Sequence, residues 1–401
     1  MLIQQFRNRI HYISVNSTFI FMFLMSITLI GCERIQQVVS PDDLGATVSD
    51  TVKIGFIYSS PDPGTTRNGA ELAVTVANKN EGINGTPIEL IIKDDNKDVE
   101  LSVKHVESLI REGVLAIVGP DYSDIALEVG KVTQENKIPM VTTYPTNPNV
   151  TKGRDYTFMG GFIDPFQAKV IASFAIKELS AKNSAVLTET GNTYSEGLSN
   201  VFIETFLSQG GTVATHQFYE TGTTDFTEQL MYIDAVDPAV DIIFLPGLGS
   251  EFPLAVKQAK STDFSISATF LGGDGWDRPD LVEIGGTAVE GSFFTNHFSP
   301  GSQLSELGQQ FVDAYIELYN IPPDGPAALG YDAMTIVIEA IRRTNDNDTE
   351  AIRDEIMATQ DYDGATQISR FDENRHAIKS LVVNTVKNGE IQAHRFLQHD
   401  E

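Results

Sequence analysis

Residues 270–276, Phe-Leu-Gly-Gly-Asp-Gly-Trp, set one carboxylate, Asp274, among three glycines directly after an apolar run. A carboxylate where the backbone is barest is placed to neutralise a cation, because glycine lets another group come close to the main chain. Further polar clusters follow other apolar runs: Ser59-Ser60-Pro61, Gly119-Pro120-Asp121-Tyr122-Ser123, Thr142-Thr143-Tyr144-Pro145-Thr146, Gly191-Asn192-Thr193-Tyr194 and Leu248-Gly249-Ser250. Hydroxyls, glycines and aromatics dominate these stretches. That inventory suits recognition of a small polar molecule through hydrogen bonds. As catalytic equipment it is poor. The chain has no Gly-x-Ser-x-Gly elbow, no Gly-Lys-[Ser/Thr] phosphate loop and no His-Glu-x-x-His. Its seven histidines are scattered, so they are expected mostly at the surface, and neither a metal nor another cofactor is expected. Asp94-Asp95-Asn96-Lys97-Asp98 lacks the spacing and closing glutamate of a calcium loop and reads as a strand-end turn.

The elements that must position these residues alternate. VKIGFIY (52–58) is β-rich and ends in the breakers SSPDPG, and NGAELAVTVANKN (68–80) has helical apolar spacing. IELIIKDD (88–95), VLAIVGP (114–120) and IPMVTTY (138–144) are further strands, with helical stretches between them. Apolar runs without strict alternation indicate strands covered on both faces, and strand–helix–strand units at this spacing give a parallel sheet. The pattern restarts with SAVLTET (184–190), VATHQFY (213–219), DIIFLPG (241–247) and ATFLGGDG (268–275). FIDPFQAKVIASFAIKEL (162–179) bridges the halves, its proline ahead of a helix. The fold class is therefore α/β, with two Rossmann-like lobes. In open parallel sheets a ligand sits beyond the carboxyl ends of the strands, where the polar clusters fall.

Length and charge agree. A chain of 401 residues is long enough for two lobes, and 41% apolar residues is ordinary for a globular protein. A formal net charge of −27 excludes a basic face for nucleic acid and reads as a solvated surface. The first thirty residues differ. Arg7 and Arg9 precede FIFMFLMSITLI (19–30), an apolar run suited to the core of a secretory signal and too short to span a bilayer comfortably. The run ends in Leu29-Ile30-Gly31-Cys32, which resembles the bacterial lipoprotein box, and this implies cleavage before Cys32 and diacylglyceryl attachment to its sulfur. Cys32 is the sole cysteine, so no internal disulfide is available. Residues 33–51 lack periodicity and read as a tether.

In order and spacing, VKIGFIYSSP, NGAELAV, IVGPDYSDIALEV, IPMVTTYPTNP, TYSEGLS, TDFTEQL, FLGGDGW, LGYDAMTIVIEAI and FDENRHAI together resemble the type I periplasmic solute-binding proteins of the branched-chain amino acid group, receptors of ABC importers. The resemblance covers residues 52–401. It implies that Ser123 and Thr146 hold the α-carboxylate of an amino acid. Free N–H groups at a helix start independently favour an anion there, although Ser123 also reads as a plain N-cap. It implies that Asp274 meets the α-ammonium, helped by the main-chain carbonyl of Tyr144. Asp stands here for the group's Glu, one methylene longer, and the alternative for Asp274 is a solvated turn residue. Tyr194 then lines the cleft, while Tyr122 and the segment around Ser60 shape the side-chain pocket. Leu248 replaces a tyrosine of the group, which puts strict amino-acid specificity in question. Arg67 reads as a solvated helix-start cation, and Tyr331-Asp332-Ala333 as a helix opening.

The resemblance further implies a periplasmic-binding-protein fold of lobes 52–164 with 296–377 and 165–295 with 378–401, after a signal peptide 1–31 and a lipidated tether 32–51. Three crossings near 164, 296 and 378 form the hinge. The implied protein is not an enzyme. It is a lipid-anchored monomer, in the periplasm or at the cell surface, that hands a small molecule to an ABC permease. A ligand-sensing or scaffolding lipoprotein of the same fold is the alternative.

Overall fold

Strands and helices alternate from Val52 onward, and the strands sort into two large sheets and one small one. The computed structural model describes residues 51–60, 65–301, 304–344 and 346–397. The expected signal peptide, the Cys32 lipid site and most of the tether lie outside them.

The first sheet contains β1 (Val52–Tyr58), β2 (Ile88–Asp94), β3 (Ala116–Val118), β4 (Met140–Thr142) and β5 (Thr157–Met159), in the order β2-β1-β3-β4-β5 and all parallel. Helices α1 (Thr65–Lys79), α2 (Val99–Arg111) and α3 (Ser123–Asn136) connect successive strands. Ile54, Phe56, Ala116 and Val118 face one helical layer, while Ile57, Ile117 and Met140 face the other. This burial on both faces is why the strands read as unbroken apolar runs.

After α4 (Asp164–Lys177) come β6 (Asn183–Glu189), α5 (Thr193–Ser208), β7 (Thr212–Tyr219), α6 (Thr227–Asp234), β8 (Ile242–Phe244), α7 (Glu251–Ala259), β9 (Thr269–Gly272), α8 (Pro279–Gly285) and β10 (Phe293–Asn296). The chain then returns to the first sheet: α9 (Glu306–Tyr319) leads to α10 (Gly325–Thr344), whose Met334 and Val337 share a core with Ile54 and Phe56. Next come α11 (Thr349–Met357) and a small antiparallel sheet of β11 (Gln360–Tyr362), β12 (Ile368–Phe371) and β13 (Ala377–Lys379). The last hairpin, β14 (Leu381–Lys387) and β15 (Glu390–Leu397), completes a seven-stranded sheet in the order β15-β14-β10-β9-β8-β6-β7. This sheet is mixed, because β14 runs antiparallel to both β10 and β15.

Several sequence expectations change in detail. Tyr331-Asp332-Ala333 lies inside α10, not at its start, and Asp332 is a buried acceptor for Ala365 N, Thr366 N and the Thr366 and Tyr362 hydroxyls. Asp94 to Asp98 is a strand-end turn as read, with Asp98 capping α2 through Leu101 N. Among the described residues no helix is long and apolar enough to cross a membrane.

Candidate functional site

Strand order fixes where side chains from the two large sheets can meet. In the first sheet β1 and β3 are neighbours whose connections leave in opposite directions, and in the second β6 and β8 are. A crevice opens beyond the carboxyl ends at such a point. Both crevices contribute to a single cavity of about 490 Å³. Tyr122 and Ser123 line it from the start of α3, Asn192, Thr193 and Tyr194 from the start of α5, and Leu248 and Ser250 from the loop after β8. Its charged lining is mixed: Lys97 and Arg278 face Asp124, Glu189, Glu251 and Asp280. Burial is the main reason that the Glu189 carboxyl is held above its usual range.

Helix starts supply the polar geometry. Ser123 is the first residue of α3, preceded by Tyr122, whose side chain does not cap the helix. Ser123 is therefore not the N-cap; its Oγ instead accepts from Asn147 N at 3.4 Å. Across the cavity Asn192 caps α5, taking Tyr194 N at 3.1 Å and Ser195 N at 3.3 Å. Asn147 Nδ2 donates to Thr193 O at 3.4 Å, which ties the two rims together. The Asn192 cap occupies the N–H groups at the start of α5, so it is the start of α3, where the Tyr122 side chain does not cap the helix, that favours an anion.

Asp274 lies deeper, in a 3-10 turn directly after β9. Its Oδ1 accepts from Gln167 Nε2 at 2.8 Å and from the Tyr194 hydroxyl at 2.9 Å, and its Oδ2 lies 3.0 Å from His297 Nε2. Tyr194 OH also accepts from Gly275 N at 3.0 Å, and Tyr144 OH donates to the main-chain oxygen of Asp274. Burial, with the Asp274 charge next, raises both tyrosine hydroxyls well above their usual range and keeps them donors. Burial pushes His297 down to about 4 against the opposing pull of Asp274, so its ring is neutral near pH 7.

The glycines around Asp274 serve packing. A Cβ at Gly272 would stand 2.3 Å from the Trp276 ring, one at Gly273 would stand 2.4 Å from Tyr194 OH, and one at Gly275 would stand 2.6 Å from Leu248 Cδ2. The close approach anticipated for a ligand is made by the protein's own side chains.

Thr146 is buried beside Asp164. Thr146 Oγ1 and Asp164 Oδ2 form no well-shaped hydrogen bond, yet the hydroxyl is near enough to favour the charged carboxylate. Burial outweighs this and lifts Asp164 to about 8. Gln167 Nε2 also reaches Asp164 Oδ1 at 3.2 Å, so one amide joins the Thr146 neighbourhood to Asp274.

Of the expected residues, Tyr122, Ser123 and Tyr194 border the large cavity and Tyr144 borders a smaller pocket, while Thr146 and Asp274 are buried behind them and border neither. Ser60 is not brought there. Its Oγ donates to Asn96 Oδ1 and its N to Asp94 Oδ1, and it borders neither this cavity nor the smaller pocket beside Tyr144. Arg67 pairs with Glu71 at 3.0 Å. Gln167, Asp164 and His297 went unnoticed in the sequence, and His297 and His376 are buried exceptions to the surface expectation.

Comparison with known proteins matches this arrangement. Residues 51–390 fit the model of the periplasmic binding protein family. The structure of a leucine binding protein, LivK, from Thermotoga maritima is similar with a TM-score of 0.82 and 37% identity, covering 87% of this chain and 99% of that one. LivJ from Streptococcus pneumoniae, a branched-chain amino acid transporter substrate binding protein solved with isoleucine, gives 0.81 and 28%, covering 86% and 99%. A leucine-, isoleucine-, valine-, threonine- and alanine-binding protein of Pseudomonas aeruginosa is 25% identical over 332 residues, 81% of this chain and 87% of that protein. With two sheets whose strand ends face one cavity, and with a family match spanning nearly the whole described chain, this protein belongs to the periplasmic binding protein family, the extracytoplasmic solute-binding proteins of ABC importers.

Proposed function

We propose that the chain captures an amino acid of the branched-chain type, or a close relative, between its two sheet rims and delivers it to an ABC permease. The observation that carries the reading is the pairing of opposite chemistries across one cavity: a helix start with Ser123 borders it from one rim, and Tyr194, whose hydroxyl bonds the Asp274 carboxylate, borders it from the other. Ser123 and the N–H groups at the start of α3 take the α-carboxylate, with Thr146 assisting. Asp274 takes the α-ammonium together with the Tyr144 carbonyl. A carboxylate offers about four acceptor positions. Three donors already hold that of Asp274, which leaves capacity for one more. Those donors fix its orientation before any ligand arrives, which lowers the ordering cost of binding. The LivK and LivJ similarities support the ligand class.

Residues 52–164 with 296–377 move as one lobe against 165–295 with 378–401. A ligand that touches both lobes favours the closed arrangement because it makes more contacts there. Cys32 carries acyl chains that keep the protein at the membrane near the permease, each buried CH₂ adding about 0.8 kcal/mol.

Isothermal titration calorimetry of the full-length chain in detergent tests the reading, with leucine, isoleucine, valine, threonine and alanine as probes. Saturable binding of at least one, with Kd on the order of micromolar, is expected. Heats no larger than dilution for all five sink it.

A further inference from the structure

The cavity that Ser123 and Tyr194 border has few apolar walls. Its volume of about 490 Å³ falls in the range of roughly 300–1,000 Å³ usual for small-molecule sites, which apolar side chains mostly line. Here Ile125 and Leu248 are the only aliphatic side chains that border it among the described residues. With an α-carboxylate at Ser123 and an α-ammonium turned past Tyr194 toward Asp274, a ligand side chain is left facing the remaining walls. These are Leu248 to Glu251 on one element, and Glu189, Asn192 and Thr221 beside it.

Glu189 stands apart from the other charged residues of the lining. Arg278 and Asp280 pair with each other at 2.9 Å, and Asp124 accepts from Ile125 N in its own helix. Glu189 alone among them is buried, at 5% exposed. Its carboxylate is held by neutral donors: Oε1 accepts from Thr221 Oγ1 at 2.5 Å and Oε2 from Asn192 Nδ2 at 3.0 Å. A carboxylate offers about four acceptor positions, so about two stay open. Its placement is rigid, because Glu189 ends β6, its N–H donates to Ser195 Oγ at 2.9 Å, and Asn192 caps α5. An apolar side chain pressed against this wall displaces water from the open positions and puts no donor in its place, and a buried acceptor left unpaired is costly. A hydroxyl fills one of them.

We propose that Glu189 is a specificity-determining residue of the cavity: its carboxylate accepts a hydrogen bond from the ligand's side chain, so that threonine is held more tightly than valine, which has the same shape with a methyl group in place of the hydroxyl. The inference rests on the amino-acid reading above and deepens it by naming the side-chain group that the site rewards.

Calorimetry with threonine and valine on the full-length chain, on Glu189→Met and on Glu251→Met separates the possibilities. The wild type is expected to favour threonine by at least about tenfold, a modest share of the discrimination that a site built to bond a hydroxyl can reach. Glu189→Met keeps the length of the side chain but offers only a weak acceptor, and is expected to shift the threonine-to-valine affinity ratio toward valine by at least about tenfold. Glu251→Met is expected to keep the wild-type ratio. Circular dichroism checks that Glu189→Met is folded. Should it not be, Glu189→Gln takes its place, since Thr221 and Asn192 use up both acceptor positions of its single carbonyl. A wild type that holds valine as tightly as threonine overturns the proposal. So does an equal loss for the two amino acids in the folded Glu189 variant, since Glu189 would then meet a group that they share. A preference lost in Glu251→Met and kept in the Glu189 variant overturns it too. Heats no larger than dilution for leucine, isoleucine, valine, threonine and alanine in the wild type remove the amino-acid reading itself, whereas valine bound as tightly as threonine leaves that reading standing and removes only the role given to Glu189.

Discussion

Asp274 Oδ2 and His297 Nε2 lie 3.0 Å apart, and the two residues are only 1% and 2% exposed. A neutral imidazole facing a carboxylate must carry its proton on Nε2, so the ring donates to Asp274, and Nδ1 has no hydrogen-bond partner. The ring also stacks on Phe162, with centroids 3.6 Å apart. Phe162 stands where the chain leaves the first sheet and His297 where it leaves β10, so two of the three crossings between the sheets are packed against each other behind the site. Charging this ring means putting a cation into that dry stack.

His297 therefore predicts an acid limb. Its folded-state value, about 4, lies below the unfolded value of 6.5, so the unfolded chain binds a proton first as pH falls. The stability contributed by the neutral ring is whole above 6.5 and is lost as pH drops toward 4, by up to about 1.4 kcal/mol per pH unit. Urea midpoints measured from pH 7 to 4.5 should fall more steeply for the wild type than for His297→Gln, which keeps a donor without titrating. Parallel curves would count against the assignment.

Asp164 predicts the opposite slope. Burial first, then the Asp274 charge, raises its carboxyl from 3.8 to about 8. Between those values the folded chain keeps a proton that the unfolded chain has released, so its contribution is whole below about 3.8 and declines as pH rises to about 8. Asp164→Asn mimics the protonated acid. It should remove a decline of up to about 1.4 kcal/mol per pH unit, seen as a flatter urea midpoint between pH 6 and 8. An unchanged slope means that Asp164 is ionised in the folded protein.

Asp274 allows binding to be separated from folding. Asp274→Ala leaves Gln167, Tyr194 and His297 without their acceptor, at a cost of about 1–3 kcal/mol for each buried group left unpaired. Asp274→Asn keeps the shape and one carbonyl acceptor while removing the charge. Calorimetry should show amino-acid affinity falling by about 100-fold or more in Asp274→Asn, corresponding to roughly 3 kcal/mol, with a smaller loss of melting temperature than in Asp274→Ala. Equal affinity in Asp274→Asn and wild type would mean that the ammonium is met elsewhere.

How far the sequence could be read depended on how long each strand stays paired before its loop begins. β1 was legible to the residue and β2 to within one, because each is a seven-residue stretch rich in β-branched and other apolar residues that ends in turn residues. β3, β4 and β8 keep only three residues of longer apolar runs, since pairing stops where the loop turns toward the cavity. β5, β10 and the last hairpin escaped notice. The hairpin had a usable signal in Asn388-Gly389, both at positive φ (56° and 75°) between alternating residues. Missing β10 had a consequence for the site. His297 is the first residue after that strand, the position at which polar residues follow the other strands as well. Asp274 itself was found because its strand was found. The explanation attached to its glycines was replaced because tight packing against Trp276, Tyr194 and Leu248 leaves no mark on local sequence.

A contact between the two sheets supplies the last expectation. Asp277, just past the 3-10 turn that holds Asp274, accepts from Gly325 N at 2.6 Å, at the start of the helix that covers the first sheet. A carboxylate at a helix N-terminus is favoured by the unpaired N–H groups there, although burial still lifts Asp277 to about 6. Gly325 has no room for a side chain: a Cβ would stand 2.4 Å from Asn296 Oδ1 and 2.8 Å from Asp277 Oδ2. Both neighbours are buried, so neither can swing into water to relieve the clash. Gly325→Ala should therefore push Asp277 off the helix start and loosen the junction of the two rims. The expected cost is about 1–3 kcal/mol in stability by urea unfolding, typical of overpacking. Because the same bond ties the second sheet to the first, amino-acid affinity should fall in parallel through a faster dissociation rate, measurable by stopped-flow competition. A variant with normal stability and an unchanged dissociation rate would show that the junction adapts and that Asp277 does not help to hold the rims together.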